Sequence, residues 1–407
     1  MPTRTRVHPG TPRPSETVRP AHRPTRRIGL VSTYPPQVCG LATFAAALGG
    51  QWRLARHRVD VVRIDDGSRP DAGAAPSIVA PSETVLVNGS QRSIRDAAAA
   101  LSRCDVAMLQ HEYGIYGGAD GDEIVTLMKS LTVPSIVTLH TVPLQPTVRQ
   151  RMLLEQIVRL ADRAVVMSET ARDRLSSLYS IDPHKVAVIP HGASAPSLTS
   201  VNEGQSAAPA PQLLTWGLLG PGKGIEYVID ALALLAKAGI RPQYTVAGVT
   251  HPKVLAHSGD TYRESLIRRC VELGISEQVT FDDAYRTVPQ LMQFVASSAV
   301  VVLPYDSRDQ VTSGVLVDAI AAGRPVIATA FPHAVELLGS GAGIVVPHGD
   351  PRALAAAIRS AVTDADVVAE MTARAARLAP SLAWSTVADQ YCRLSDEIIA
   401  SNTSVAI

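Results

Sequence analysis

The chain reads as α/β, with two doubly wound domains of similar size facing each other across a cleft. Three observations point there. Short apolar runs alternate with helix-period segments from residue 27 onward. The runs are apolar nearly throughout, as strands buried on both faces must be, so parallel sheets covered by helices on both sides are expected. Finally, a stretch rich in Ser, Ala and Pro at 193–211 breaks the pattern at mid-chain and reads as an interdomain linker.

Residues 1–26 hold many Arg and Pro and a single acid, Glu16. They carry too little apolar surface to order themselves, so a disordered basic tail is expected. Weak attraction of its arginines to an acidic membrane surface is the sharper alternative. The first domain, 27–192, has candidate strands at 27–32, 58–64, 106–110, 135–139, 164–167 and 186–189. Helical patterns lie between most of them, including 41–55, 147–160 and 170–178. The second domain, 212–382, has candidate strands at 212–216, 243–247, 278–281, 299–303, 325–329 and 343–346, with helices at 262–273 and 315–322. In the last segment, 383–407, Trp384, Val387, Tyr391, Leu394 and Ile398 fall on one helical face that can cap either domain.

Bulk properties narrow the function. A length of 407 residues exceeds one typical domain, and 46% hydrophobic residues supply two cores. A net charge of +1 argues against dedicated nucleic-acid binding. Cys39, Cys104, Cys270 and Cys392 are scattered, which suggests neither a zinc site nor a disulfide framework and fits a reducing cytosol. No apolar run approaches the roughly 20 residues of a membrane helix, and the N-terminus lacks a signal-type apolar core. A cytoplasmic location is therefore expected.

The most informative local feature is Gly220-Pro221-Gly222-Lys223-Gly224. An apolar lead-in from Leu213 to Leu219 precedes it, and an amphipathic helix follows through about Ala236. Strand, glycine turn, lysine and helix is a way to hold a phosphate: helix N-terminal amides carry partial positive charge, and glycines let backbone approach the ligand. The turn is not a P-loop, because no Ser or Thr follows the lysine, and it is not the dinucleotide G-x-G-x-x-G. By itself it reads equally as an anion cradle or as a tight strand-to-helix turn.

Further segments sit at strand ends: Ser32-Thr33-Tyr34-Pro35-Pro36 leading to Cys39-Gly40-Leu41-Ala42-Thr43-Phe44; Gln110-His111-Glu112-Tyr113-Gly114-Ile115-Tyr116; Thr138-Leu139-His140; and Pro304-Tyr305-Asp306 running through Asp309-Gln310-Val311-Thr312-Ser313-Gly314-Val315 to Asp318. Val188-Ile189-Pro190-His191-Gly192 and Gly248-Val249-Thr250-His251-Pro252 support them. In this order and spacing, over roughly residues 27–400, the chain resembles nucleotide-sugar-dependent glycosyltransferases of family 4, with the two-Rossmann GT-B architecture.

The resemblance implies transfer of a hexose, mannose or glucose, from a nucleoside diphosphate sugar to a carbohydrate or glycolipid acceptor. It implies retention of anomeric configuration, with neither metal nor cofactor. Lys223, the amides of Gly220, Gly222 and Gly224, and those of Ser313, Gly314 and Val315 would meet the leaving diphosphate, with Gly40 beside it. His140 would face the transferring sugar. His111, Glu112, Tyr113 and Tyr116 would hold sugar or acceptor, the tyrosines by stacking. Asp318 matches the second acid of the family's Glu-x7-Glu, whose carboxylate accepts from the ribose hydroxyls. Gln310 replaces the first acid, with Asp309 adjacent; both would meet sugar or acceptor, and Leu218 stands where many relatives carry arginine. Cys39 reads as packing rather than as a nucleophile. Donor groups lie mainly in the second domain and acceptor groups in the first, so closure of the cleft is expected. Two alternatives remain at this point: a nucleotide-sugar epimerase on the same fold, and a degenerate transferase that binds sugar or a partner without transfer.

Overall fold

A computed structural model describes residues 24–37, 39–65, 67, 83–194, 212–284 and 286–405. Most of the basic tail and of the linker, 1–23 and 195–211, lies outside the described residues.

Two parallel sheets form the framework. The first contains β1 (Arg27–Ser32), β2 (Arg58–Asp65), β3 (Glu83–Val87), β4 (Val106–His111), β5 (Ser135–Leu139), β6 (Arg163–Val166) and β7 (Val186–Val188), in the order β3-β2-β1-β4-β5-β6-β7. The second contains β8 (Gln212–Trp216), β9 (Gln243–Ala247), β10 (Val279–Asp282), β11 (Val300–Leu303), β12 (Val326–Thr329) and β13 (Gly343–Val346), in the order β10-β9-β8-β11-β12-β13. Both orders reverse beside their first strand, at β1/β4 and at β8/β11. Ligands bind at such switch points, where loops leave the sheet in opposite directions. The main candidate motifs follow these four strands or the adjoining β5, and the two supporting segments follow β7 and β9.

Both faces of each sheet are packed. Along β4, Val106 and Met108 join one cluster while Ala107 and Leu109 join another; along β11, Val300 and Val302 alternate in the same way with Val301 and Leu303. Successive strand side chains point to opposite faces, so apolar residues at every position are what a doubly covered sheet requires.

β3 is an addition to the strands expected from sequence. It is an edge strand, paired only with β2 through residues such as Val61 opposite Glu83. Its short, half-exposed run lacks the continuous apolar signature of the inner strands.

The last helix, Trp384–Val405, settles which domain it caps. The chain crosses back where Ala193 N–H donates to the Leu382 carbonyl at 2.7 Å and Trp384 N–H to the Ala193 carbonyl at 3.2 Å. Gly192 is needed there, because a Cβ would collide with the Trp384 ring. Trp384, Val387, Tyr391, Leu394 and Ile398 then pack with Phe44, Leu48 and Trp52 on the first sheet. Trp52 Nε1 donates to the Ala388 carbonyl at 3.2 Å, and the Tyr391 hydroxyl meets Thr138 Oγ1 at 3.1 Å. Among the described residues, no helix is long and apolar enough to cross a membrane.

Candidate active site

The glycine turn after β8 is built as a turn by its own backbone. Lys223 N–H donates to the Gly220 carbonyl at 3.2 Å, and Asp306 N–H donates to the Gly222 carbonyl at 2.9 Å, tying the turn to the loop after β11. Gly224 has φ +67° and begins the helix Ile225–Lys237; its Cα passes so close to the Pro304 carbonyl that no side chain fits. Lys223 is half-buried, with Nζ 4.6 Å from the centroid of the Tyr305 ring. Burial lowers its pKa, and among the described residues it has no carboxylate partner.

The helix Gly314–Ala321 starts at the second switch point. Ser313 caps it, its Oγ accepting from Leu316 N–H at 3.3 Å. The expectation that the Ser313 amide serves the diphosphate is corrected: that N–H donates to His333 Nδ1 at 2.8 Å, inside the protein. The amides of Gly314 and Val315 have no acceptor among the described residues, as the first turn of a helix leaves them. Asp318, one turn further on, is half-buried, and the nearby Ser194 backbone amide favours its ionised form. Desolvation pushes its carboxyl up to about 7.

The backbone of Asp309 and Gln310 is held in place, while the Asp309 side chain stays exposed. Buried Arg174, from the first lobe, donates to the Val142 and Asp309 carbonyls at 2.9 Å each and lies 3.4 Å from the Asp309 carboxylate. Gln310 Nε2 donates to the Thr312 carbonyl at 3.1 Å, and the Gln310 carbonyl accepts from His333 N–H at 3.2 Å.

In the first lobe, His140 directly follows β5 and is half-buried, with Nε2 2.7 Å from Gln110 Oε1. Burial lowers its pKa to about 3, with nearby His191 and His111 adding to the effect, so the imidazole is neutral. It is a hydrogen-bonding group at neutral pH, not a cation. His111, the last residue of β4, is 0% exposed, and neither ring nitrogen has a partner among the described residues. The expected contact of His111 with sugar is therefore corrected: its side chain packs into the sheet, edge-on to Tyr113 at 5.0 Å. Tyr116 is likewise buried and donates to the Gln110 carbonyl at 2.8 Å, so its ring does not stack on a ligand. Glu112 and Tyr113 stay half-buried. The Glu112 carboxylate accepts from Thr141 Oγ1 at 2.5 Å and from Tyr113 N–H at 2.9 Å.

Gly40 opens the helix Gly40–Leu54 and is exposed, with no described atom within 4 Å of where a Cβ would stand. Cys39 is its cap: Sγ accepts from Ala42 N–H at 3.4 Å and contacts Thr33 Oγ1 at 3.1 Å. Packing and capping thus replace any nucleophilic role.

Three rings of the first lobe lead to the second. Phe44 stands edge-on to His140 at 4.9 Å and to His191 at 5.1 Å. His191 in turn lies against Gly314, its Cε1 and Nε2 2.9 Å from the point where a Cβ would project. His140 and the free helix amides are therefore separated by little more than two rings. Sequence reasoning gave no role to His191, Gln110, Phe44 or Tyr305; the signal present was the strand-end position of His191, Gln110 and Tyr305 and the place of Phe44 in the first turns of the helix after β1.

Known proteins share this architecture. The family model described as Glycosyltransferase Family 4 matches residues 38–195, and the one described as Glycosyl transferases group 1 matches residues 210–364. A protein named D-inositol 3-phosphate glycosyltransferase from Kineococcus radiotolerans is 28% identical over 259 residues, 58% of this chain and 57% of the relative. Another of that name from Streptomyces scabiei is 30% identical over 57% of this chain and 53% of its own length. The matched region thus spans a little over half the length of these relatives. Among solved structures, sucrose-phosphate synthase from Thermosynechococcus elongatus superposes with TM-score 0.70 at 18% identity, covering 92% of this chain and 100% of its own. Anabaena HepE, in complex with UDP and glucose, gives TM-score 0.68 at 18% identity, covering 91% and 100%. With one domain model on each sheet and the GT-B fold throughout, the chain belongs to the family 4 glycosyltransferases.

Proposed function

We propose that the protein is a retaining hexosyltransferase that moves mannose or glucose from a nucleoside diphosphate sugar to a carbohydrate or glycolipid acceptor, without a metal ion. The observation that carries this reading is the placement of Lys223 and of the free amides of Gly314 and Val315 after the paired strands β8 and β11, with neutral His140 linked to Gly314 through Phe44 and His191. As the bond from the anomeric carbon to the diphosphate breaks, negative charge grows on the leaving oxygens. A fixed ammonium and fixed helix amides stabilise that charge without reorganising. The acceptor hydroxyl attacks from the same face, and its proton passes to a leaving phosphate oxygen. His140 needs no charge in this scheme; its ring orients a sugar hydroxyl. The relatives' name supports a phosphorylated polyol among candidate acceptors, and HepE, seen with UDP and glucose, supports a nucleotide sugar as donor.

The test screens purified protein against UDP- and GDP-sugars for thermal stabilisation and slow donor hydrolysis. Proton NMR of the released or transferred sugar then reads the anomer. A stabilising donor turned over with retention is the expected result. Turnover with inversion sinks the retaining mechanism, and the absence of any nucleotide binding sinks the whole reading.

A further inference from the structure

We propose that Tyr305 is a positioning residue for Lys223, its ring holding the ammonium at the phosphate end of the cleft where a carboxylate would otherwise be needed. This rests on the donor-site reading above. Lys223 Nζ sits 4.6 Å from the Tyr305 ring centroid. The ring is 3% exposed and lies tilted against Phe331 at 5.4 Å. The Tyr305 backbone is pinned as well: its carbonyl accepts from Thr329 Oγ1 at 2.5 Å and is 2.8 Å from His348 Nδ1. One residue on, Asp306 N–H donates to the Gly222 carbonyl, so ring and lysine turn are locked to each other.

The choice of partner has a chemical consequence. A carboxylate would neutralise the ammonium and compete with an incoming diphosphate. An aromatic face attracts a cation through its quadrupole yet accepts no full hydrogen bond, so the N–H donors turned away from the ring remain for phosphate oxygens. With Leu218 apolar, Lys223 is the sole cation in the turn 217–224. Its placement therefore matters more than it would beside a second charge.

The experiment measures binding of UDP, GDP, uridine and guanosine to the full chain by calorimetry. Tyr305→Leu is expected to weaken the preferred diphosphate about tenfold, the range of a desolvated cation–π contact. Tyr305→Phe should stay within about twofold, because the ring is kept. Nucleoside binding should not change. In a Lys223→Ala background, Tyr305→Leu should add nothing, since the two act as one unit. Fluorinated phenylalanines at 305 keep the ring's shape while draining its face, so diphosphate affinity should fall with each fluorine; this series serves even where Tyr305→Leu does not fold. Equal losses for nucleoside and diphosphate, a loss that persists without Lys223, or a flat fluorine series overturns the proposal alone. A parent protein that binds neither diphosphate overturns the donor-site reading and the proposal with it.

Discussion

At Lys223, Asp318 and His140 the surroundings decide what the side chain can do. Lys223 reaches a half-buried position with no carboxylate among the described residues to satisfy it. Lys223→Ala should therefore cost on the order of 2–4 kcal/mol in the transition state, read as a fall in kcat/KM with the fold intact. Parent-like donor affinity and rate in that variant would remove lysine from the mechanism. Asp318 pulls the other way. Its ordinary value of 3.8 is raised to about 7 in the fold, so the folded chain holds a proton there that the unfolded chain has lost. Its contribution to stability thus falls as pH rises from about 4 to about 7 and is level beyond. Asp318→Asn should raise Tm relative to the parent at pH 8 but not at pH 4, while weakening nucleotide binding through the lost acceptor. A Tm difference that is the same at both pH values would refute the shift. His140 titrates only near pH 3, so it contributes no step to the pH–rate profile between 5 and 8. A kinetic pKa near 6.5 that disappears in His140→Gln would contradict its neutral role.

Among the elements, the helix Glu169–Leu178 joins the two lobes. Its first-turn amides have no intrahelical acceptors, and the second lobe supplies one. The Glu336 carboxylate accepts from Glu169 N–H at 2.8 Å, Thr170 N–H at 2.9 Å and Thr170 Oγ1 at 2.7 Å. Ser168, the cap, donates to the Val311 carbonyl at 2.7 Å, and Val311 packs into the first lobe's core. Anionic groups at a helix N-terminus are worth about 1 kcal/mol or more each when partly buried. Glu336→Ala should lower Tm by a few degrees and increase the radius of gyration of the ligand-free protein in small-angle scattering. An unchanged radius with the lower Tm would mean that Glu336 only caps the helix. None of these pairs was legible in the sequence. Periodicity reveals that 170–178 is a helix with an apolar face, but the partner of its N-terminus lies more than 160 positions away. The same limit explains Ser313: its amide suits a diphosphate by position, and its partner, His333, appears only when the two segments fold together. His111 failed for a different reason. It belongs to β4 itself rather than to the loop after it, and the inner strands of this sheet have no exposed side.

Over the whole molecule, the alternation of inner strands and helices was legible because burial on both faces leaves so plain a pattern, whereas the course of the last helix was not. The apolar stripe of Trp384, Val387, Tyr391, Leu394 and Ile398 demands a partner but does not name it. The structure assigns it to the first sheet, so the first lobe is completed by the end of the chain. Burying one large apolar side chain contributes about 1.5–3 kcal/mol, and five of them rival the ~5–15 kcal/mol by which a domain is stable at all. A fragment of residues 24–194 would expose Phe44, Leu48 and Trp52 and leave Trp52 Nε1 and Thr138 Oγ1 without their partners on the helix. That fragment should lack a fixed tertiary near-ultraviolet circular dichroism signal, and adding a peptide of residues 383–405 should restore it together with a cooperative melt. The second lobe loses no such cover, so a fragment of residues 212–382 should melt cooperatively by itself. Should 24–194 fold unaided with a melt as sharp as the intact chain's, the last helix is only a strap across the surface, and the two lobes are independent folding units after all.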